Sequence, residues 1–192
     1  MSESEMTGDL FLLTSPAEVA PVADQWRTEA RIVERVAAGD EAAFGELYKI
    51  FAPVVHGVVL ARVPRDEVQD IVQEVFLKAY KNLSALRDKS AVGAWLVTIA
   101  RNHAAEFYRG RKLTEELPED LPCKNESHSE AREILKTIRD LPEAYRETLI
   151  LRLVEGMTGN EIARQTGLTP ESVRVNLHRG MKLLRRQLGI AE

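Results

Sequence analysis

Hydrophobic residues recur every three or four positions over two long segments of the chain, residues 26 to 112 and residues 130 to 190. This spacing places apolar side chains along one side of a helix and is typical of amphipathic α-helices. Neither segment contains a convincing run of alternating strand residues or an Asn-Gly hairpin turn. The pattern therefore predicts an all-α protein with two small helical domains, at residues 26–112 and 130–192.

Two acidic segments lie outside these predicted domains. Residues 1–25 contain five acids and no lysine or arginine, so we expect a poorly ordered arm. Residues 113–129 are also acidic, and Pro118 and Pro122 prevent a continuous helix there. We interpret them as a flexible linker. Fully extended, such a linker could reach about 55 Å, so the two domains need not touch each other.

Composition excludes several classes of protein. The longest apolar runs, such as residues 54–61, are too short to cross a bilayer, and the acidic start lacks the cationic opening of a signal peptide. We therefore expect a cytoplasmic protein without membrane insertion. With Cys123 as the only cysteine, four scattered histidines and no glycine-rich phosphate loop, we predict no disulfide, metal site, cofactor or catalytic residue.

The formal net charge of -4 conceals two basic stretches. Residues 101–112 contain four cations and one acid, and residues 172–188 contain five cations and no acid. Positive surfaces of this kind suit a polyanionic partner even when the whole chain is acidic.

The second basic stretch belongs to a predicted helix-turn-helix. Thr158 and Glu161 have the spacing of a capping box at the start of one helix, and Gly167 suits the left-handed turn after it. Thr169 and Pro170 then fit the cap and the first position of the next helix. In that helix Val173, Leu177, Met181 and Leu184 form a stripe that we expect to be buried.

The opposite side of this helix forms what we call the recognition face. Its arginines could bond guanine in the major groove of duplex DNA, and its later cations could contact phosphates. The face comprises Arg174, Val175, His178, Arg179, Lys182 and Arg185, with Arg186 next to it.

A helix predicted near residues 65–83 has one core stripe and one polar flank. The predicted core stripe comprises Val68, Ile71, Val72, Val75, Phe76 and Ala79. On the flank, an acidic strip with an apolar end is expected to face solvent; it comprises Asp70, Gln73, Glu74 and Leu77.

The segment of residues 94–113 forms another predicted helix. Trp95, Leu96, Ile99 and Ala100 are expected in the core, and we also expect Trp95 and Phe107 to pack there rather than stack on bases. The other side, the single-strand face, combines amide and guanidinium groups that suit unpaired bases and the DNA backbone. It comprises Arg101, Asn102, Glu106 and Arg109.

Taken together, these three motifs resemble regions 2 and 4 of the RNA polymerase sigma-70 family in its short extracytoplasmic-function form. The resemblance covers roughly residues 28–188, with the motifs in family order and the linker between them. It implies two helical domains, a region 2 bundle and a region 4 helix-turn-helix. It also implies a dissociable, non-enzymatic subunit that brings core RNA polymerase to promoter DNA, and the family is often held inactive by anti-sigma partners.

The resemblance assigns roles to matching positions. Asp70, Gln73 and Glu74, with Leu77 beside them, match the region 2 contact to core polymerase. Asn102 matches the pocket for a flipped base of the −10 element, with Arg101, Glu106 and Arg109 around it; Glu106 stands where the family usually has Asp. The turn at residues 84–93 matches the loop that selects this base, through Arg87, Asp88 and Lys89. The recognition face matches the residues that contact the −35 element.

Two other functions remain as alternatives at this point. A stand-alone helix-turn-helix regulator would form a stable dimer and bind its operator without polymerase. An interaction adaptor would have no DNA affinity at any salt concentration. The sigma interpretation instead predicts a monomer when the protein is free.

Overall fold

The computed structural model describes residues 22–111 and 129–190, and within these ranges the chain forms helices and turns without a β-strand. Three single 3₁₀ turns, Arg65–Glu67, Leu83–Ala85 and Lys89–Ala91, connect longer helices. The α-helices are α1 (Val22–Ala37), α2 (Glu41–Leu60), α3 (Val68–Asn82), α4 (Val92–Arg111), α5 (Ser129–Arg139), α6 (Glu143–Leu153), α7 (Gly159–Thr166) and α8 (Pro170–Gln187).

The predicted all-α fold is thus confirmed. The predicted arm lies outside the described residues up to position 21, but its last part is helical rather than poorly ordered, because α1 begins at Val22. Ile32, Val33 and Val36 anchor this helix by packing into the core. The predicted linker lies outside the described residues except for Ser129, where α5 begins.

Local signals set the ends of the helices. Asp40 caps α2, since its carboxylate accepts a hydrogen bond from the backbone N–H of Ala43 at 3.1 Å. Thr158 and Glu161 form the predicted capping box of α7. Gly167 then has a φ of 76°, which glycine adopts without strain, and Thr169 caps α8 ahead of Pro170.

Helix α2 lies at the centre of the first domain and packs against α1, α3 and α4. It is long and apolar enough to cross a membrane by composition, but half of its most apolar stretch is buried inside the fold. Its apolar character is therefore explained by its position in the core. The core stripe predicted for α3 is buried at every position, from Val68 to Ala79.

The two domains pack against each other, with α6 on α2 and α7 on α4. Gly57 makes close approach possible in the first contact: a Cβ atom there would lie 2.7 Å from Leu151 Cδ2. In the second contact Gly93 lies under α7, where a Cβ atom would be 3.5 Å from Gln165 Cα. We call this packing the closed arrangement. The predicted linker is long enough for the domains to separate, but in the structure their cores are in contact.

Candidate nucleic-acid interface

The recognition face lies on the outer side of α8. Val173 and Leu184 of the predicted stripe are buried, and Leu177 and Met181 are half-buried against the core. All six members of the recognition face, from Arg174 to Arg185, are exposed. Helix α8 therefore presents its cations to solvent because its apolar residues hold the other side against the domain.

Gly180 determines how closely α8 approaches α6, and the sequence prediction missed it. A Cβ atom at this position would lie 3.0 Å from Tyr145 Cβ and 3.0 Å from Leu149 Cδ1. A buried glycine in the middle of a helix normally costs stability, so its value here is the close helix contact. Gly180 follows Leu177 of the predicted stripe by three residues, and this spacing could have indicated that Gly180 is buried.

The single-strand face of α4 is partly as predicted. Asn102, Glu106 and Arg109 are exposed, and Glu106 lies 4.0 Å from Lys78 of α3. Trp95 and Phe107 are half-buried and pack against the core, as the sequence predicted.

Arg101 departs from the expected solvent exposure, since its side chain is 36% exposed and bonded to the second domain. Its Nη2 donates to Glu147 Oε1 at 2.6 Å, and its Nε donates to Glu147 Oε2 at 3.2 Å. This pairing joins residues 46 positions apart, which local sequence patterns cannot reveal.

Glu147 of α6 is a buried carboxylate with two arginine partners, and the sequence prediction did not identify it. Its side chain is 5% exposed, and Arg62 Nη2 lies 2.6 Å from Oε2, the oxygen that also accepts from Arg101 Nε. Burial alone would raise the pKa of Glu147. The hydrogen bonds and charges of Arg101 and Arg62 outweigh burial and hold this pKa below its ordinary value. Glu147 is therefore a carboxylate kept charged by the first domain.

Further arginines of the second domain bond the end of α2. Arg139 donates to the carbonyls of Leu60 at 3.2 Å and Val63 at 2.7 Å, and Arg146 donates to that of Ala61 at 3.2 Å. These carbonyls follow the last turn of a helix and have no partner within it. Cations are also favoured at this end by the helix dipole.

Two more polar pairs cross the domain boundary. His56 Nδ1 lies 2.6 Å from Glu155 Oε1, and Arg164 of α7 pairs with the buried Glu29 of α1. The closed arrangement thus combines a close apolar contact with several charged contacts.

The turn at residues 84–93 has a defined shape. Asp88 accepts hydrogen bonds from the hydroxyl of Ser90 at 2.6 Å and from its backbone N–H at 3.0 Å, and these bonds lower the pKa of Asp88. Lys89 pairs with Glu34 of α1 at 3.2 Å, whereas Arg87 is exposed. Of the three predicted base-selecting residues, Arg87 and Asp88 are thus exposed, while Lys89 is half-buried beside Glu34.

The acidic strip lies on the solvent side of α3, as predicted. Asp70, Gln73, Glu74 and Leu77 are all exposed, and Leu77 is 60% exposed despite its apolar side chain. Glu74 Oε2 lies 3.6 Å from Nδ1 of His103 on α4. The fold buries the opposite side of α3 and makes no structural use of the exposed leucine.

Two exposed aromatic rings pack on the Phe44 and Phe76 pair between α2 and α3, and sequence analysis did not assign them. Tyr80 is 46% exposed and packs edge-on against Phe44, with ring centroids 4.9 Å apart. Tyr48 is 40% exposed and its ring lies 4.6 Å from that of Phe76. Tyr80 follows Leu77 by three residues, and this spacing could have indicated that the two side chains share one face of α3.

Comparison with known proteins identifies both domains. Residues 47–114 match the family model for sigma-70 region 2, and residues 131–184 match the model for sigma-70 region 4. The chain is 31% identical over 180 residues to an ECF RNA polymerase sigma-E factor of Haemophilus influenzae, covering 84% of this chain and 95% of the relative. It is also 31% identical over 176 residues to the ECF RNA polymerase sigma-E factor of Escherichia coli K12, covering 82% and 92% of the two chains.

Solved structures share the fold. CnrH, solved in complex with the cytosolic domain of CnrY, superposes with a TM-score of 0.62 at 22% identity, over 85% of this chain and 99% of that one. The sigma factor RpoE of Bartonella quintana, solved with the anti-sigma factor NepR, gives a TM-score of 0.56 at 20% identity, over 78% and 98%. With both regions in order and relatives matched over nearly their whole length, the chain belongs to the extracytoplasmic-function group of the sigma-70 family and acts as a sigma factor in transcription initiation.

Proposed function

We propose that three surfaces of the chain carry out different parts of transcription initiation. The acidic strip on α3 binds core RNA polymerase. The single-strand face on α4, with the turn that carries Arg87, captures bases of the melted −10 element. The recognition face on α8 binds the −35 element as duplex DNA. Strand opening then follows from tighter binding to the melted state than to the closed duplex, without a catalytic step.

The observation that carries the polymerase assignment is the contrast between the two sides of α3. Every residue of its core stripe is buried, so the fold needs only that side of the helix. The other side exposes a leucine and two carboxylates, and the exposed ring of Tyr80 follows three residues after the leucine. An exposed apolar group with charges around it is typical of a protein-binding surface.

The assignment of the recognition face is supported by the way the fold fixes the position of α8. A capped helix, a left-handed glycine turn and a second capped helix hold α8 with its six outer residues in solvent. Arginines on such a helix can bond guanine in two places at once, which gives sequence preference. The positions near the C-terminal end of α8 suit the phosphate backbone instead.

The free protein is proposed to be a cytoplasmic monomer that waits for polymerase. The structure of the Bartonella relative contains an anti-sigma factor, and a partner of that class is part of this proposal. A sizing column distinguishes the monomer from a dimeric regulator, since a regulator of paired half-sites would elute as a dimer.

The test of the function is reconstitution. The purified chain is mixed with sigma-free core polymerase and a genomic DNA library, and the transcript starts are mapped. We expect starts that share two upstream elements and that are absent without the chain. Starts that do not depend on the chain would refute the proposal.

The polymerase surface is tested by replacing Gln73 and Glu74 together with alanine. We expect co-purification with core polymerase to be lost while the circular dichroism spectrum is unchanged, because both side chains are exposed. The matched control, Glu133→Ala with Gln187→Ala, removes the same two side-chain types from exposed positions elsewhere and should retain binding. Binding retained by the first variant would make the strip ordinary surface.

A further inference from the structure

The charged contact at Glu147 lies at the boundary between the first and the second domain. Glu147 belongs to the second domain, yet both of its arginine partners, Arg62 and Arg101, belong to the first. A buried carboxylate without partners would be strongly unfavourable, so separation of the domains must bring this group to water. The contact is therefore tied to whether the domains are together or apart.

Arg101 is also a member of the single-strand face, next to Asn102 in the sequence. Its guanidinium binds both oxygens of Glu147 through two different nitrogens. An arginine presents the same fork to a phosphate group, because both anions offer two oxygens to parallel N–H donors. Glu147 thus occupies the Nε and Nη2 fork of Arg101, which a DNA phosphate could otherwise bind.

We infer that Glu147 is an intramolecular competitor of DNA, which holds the free chain in the closed arrangement and occupies the guanidinium of Arg101 until the domains separate. The inference rests on the proposed role of the single-strand face. A phosphate and Glu147 cannot bind the Nε and Nη2 fork of Arg101 at the same time, so the closed arrangement lowers the apparent affinity for single strands. Separation of the domains releases the arginine.

The rest of the contact is suited to reversible closure. Arg139 and Arg146 bond backbone carbonyls, and water can bond the same carbonyls when the domains separate. Arg164 pairs with Glu29, and neither residue belongs to the single-strand face. Contacts between domains that contain so many polar groups resemble transient interfaces rather than a permanent core. Close packing remains at Gly57, where there is no room for a side chain.

Two variants open the domains by different routes. Glu147→Gln removes the charge that holds both arginines. Gly57→Ala leaves Glu147 and its two arginine partners unchanged but places a methyl group 2.7 Å from Leu151 Cδ2 and 2.9 Å from Glu155 Cγ, the partner of His56. Alanine favours a helix over glycine, so α2 itself is not weakened.

Each variant has a matched control. Glu133→Gln removes one negative charge from an exposed position of α5, which accounts for any general electrostatic gain in DNA affinity. Gly45→Ala makes the same change in the same helix at a position where no atom lies within 4 Å of the new Cβ. Differences between each variant and its control then report the domain contact.

Two measurements are made on the full chain without polymerase. Small-angle X-ray scattering gives the radius of gyration, and fluorescence anisotropy gives the affinity for a labelled single strand of mixed sequence. We expect both variants to have a larger radius than their controls and to bind the strand about tenfold more tightly. The controls should match the unmodified chain in both measurements.

Either of two results would overturn the inference. Variants that keep the unmodified radius would show that Glu147 does not hold the domains together. Variants that expand without a gain in affinity would show that closure does not compete with DNA. The scattering result does not depend on polymerase, so it stands or fails separately from start-site selection, which tests the proposed function.

Discussion

The two proposed DNA surfaces differ in how the fold treats their arginines. Arg174, Arg179 and Arg185 on α8 point into solvent, and no ion pair holds them within the part of the chain that the structure describes. Arg101 on α4 is instead bound to a carboxylate of the other domain. Under the proposed roles, one surface is accessible to DNA in the free chain, and the other requires the domains to separate.

This difference follows from what supports each surface. The recognition face is supported by the packing of α8 on α5, α6 and α7, all within its own domain. The single-strand face borders the contact between domains, because α7 packs on the same helix α4. Duplex binding can therefore be nearly independent of domain position, whereas single-strand binding cannot. The following predictions test this contrast, from the largest effect to the smallest.

Leu149→Ala should remove the support of the recognition face. Leu149 is completely buried, and its Cδ1 lies where α6 meets Gly180 of α8. Loss of a leucine at such a site typically lowers the free energy of unfolding by about 2–5 kcal/mol. Thermal unfolding followed by circular dichroism measures this loss. Leu153→Ala makes the same change at a 47% exposed position of α6 and should cost far less; equal losses would contradict the packing argument.

Arg174→Ala should reduce binding to the upstream element selectively. An arginine that bonds a base is worth about 1–3 kcal/mol of discrimination, so the loss should be confined to the cognate sequence. Lys182→Ala, near the end of the recognition face, should weaken binding to all duplexes by a similar factor and reduce the salt dependence. Gel-shift titrations on cognate and scrambled duplexes compare the two. Uniform losses for both variants would mean that α8 contacts only the backbone.

The pH dependence of the closed arrangement should follow Glu147. Because Arg101 and Arg62 lower the pKa of Glu147, the pair contributes stability above the ordinary glutamate pKa of about 4.3. This contribution is lost as the pH falls through the lowered folded-state pKa. The difference in melting temperature between the unmodified chain and Glu147→Gln should be constant from about pH 6 to pH 8 and shrink under acid. The difference for Glu133→Gln should stay close to zero, and a Glu147→Gln difference that persists in strong acid would exclude a charged pair.

Sequence patterns predicted the elements far better than the contact between them. The capping box at Thr158, the glycine turn at Gly167 and the buried stripe of α3 follow from spacings of three and four residues, and all three are found. These signals are local, because capping and amphipathic burial involve neighbours within a single helix.

The closed arrangement could not be predicted in this way. Glu147 is one of many acids in the sequence, and its partners lie 46 and 85 positions away. A helical pattern identifies a buried side without identifying what covers it, and a long linker allows many arrangements. The roles of the predicted site residues remain predictions, while the structure describes the exposure of the acidic strip and of the recognition face and the pairing of Arg101 with Glu147.

The arginines that bond the end of α2 link the separation of the domains to the rate of amide exchange in that helix. When the second domain leaves, the carbonyls of Leu60, Ala61 and Val63 exchange guanidinium donors for water. The final turn of α2 then loses the packing and the donors that hold it, and its amide protons should exchange faster than in the closed arrangement. A rearrangement that serves promoter DNA would thus be visible in the fraying of a helix that carries neither of the proposed DNA surfaces.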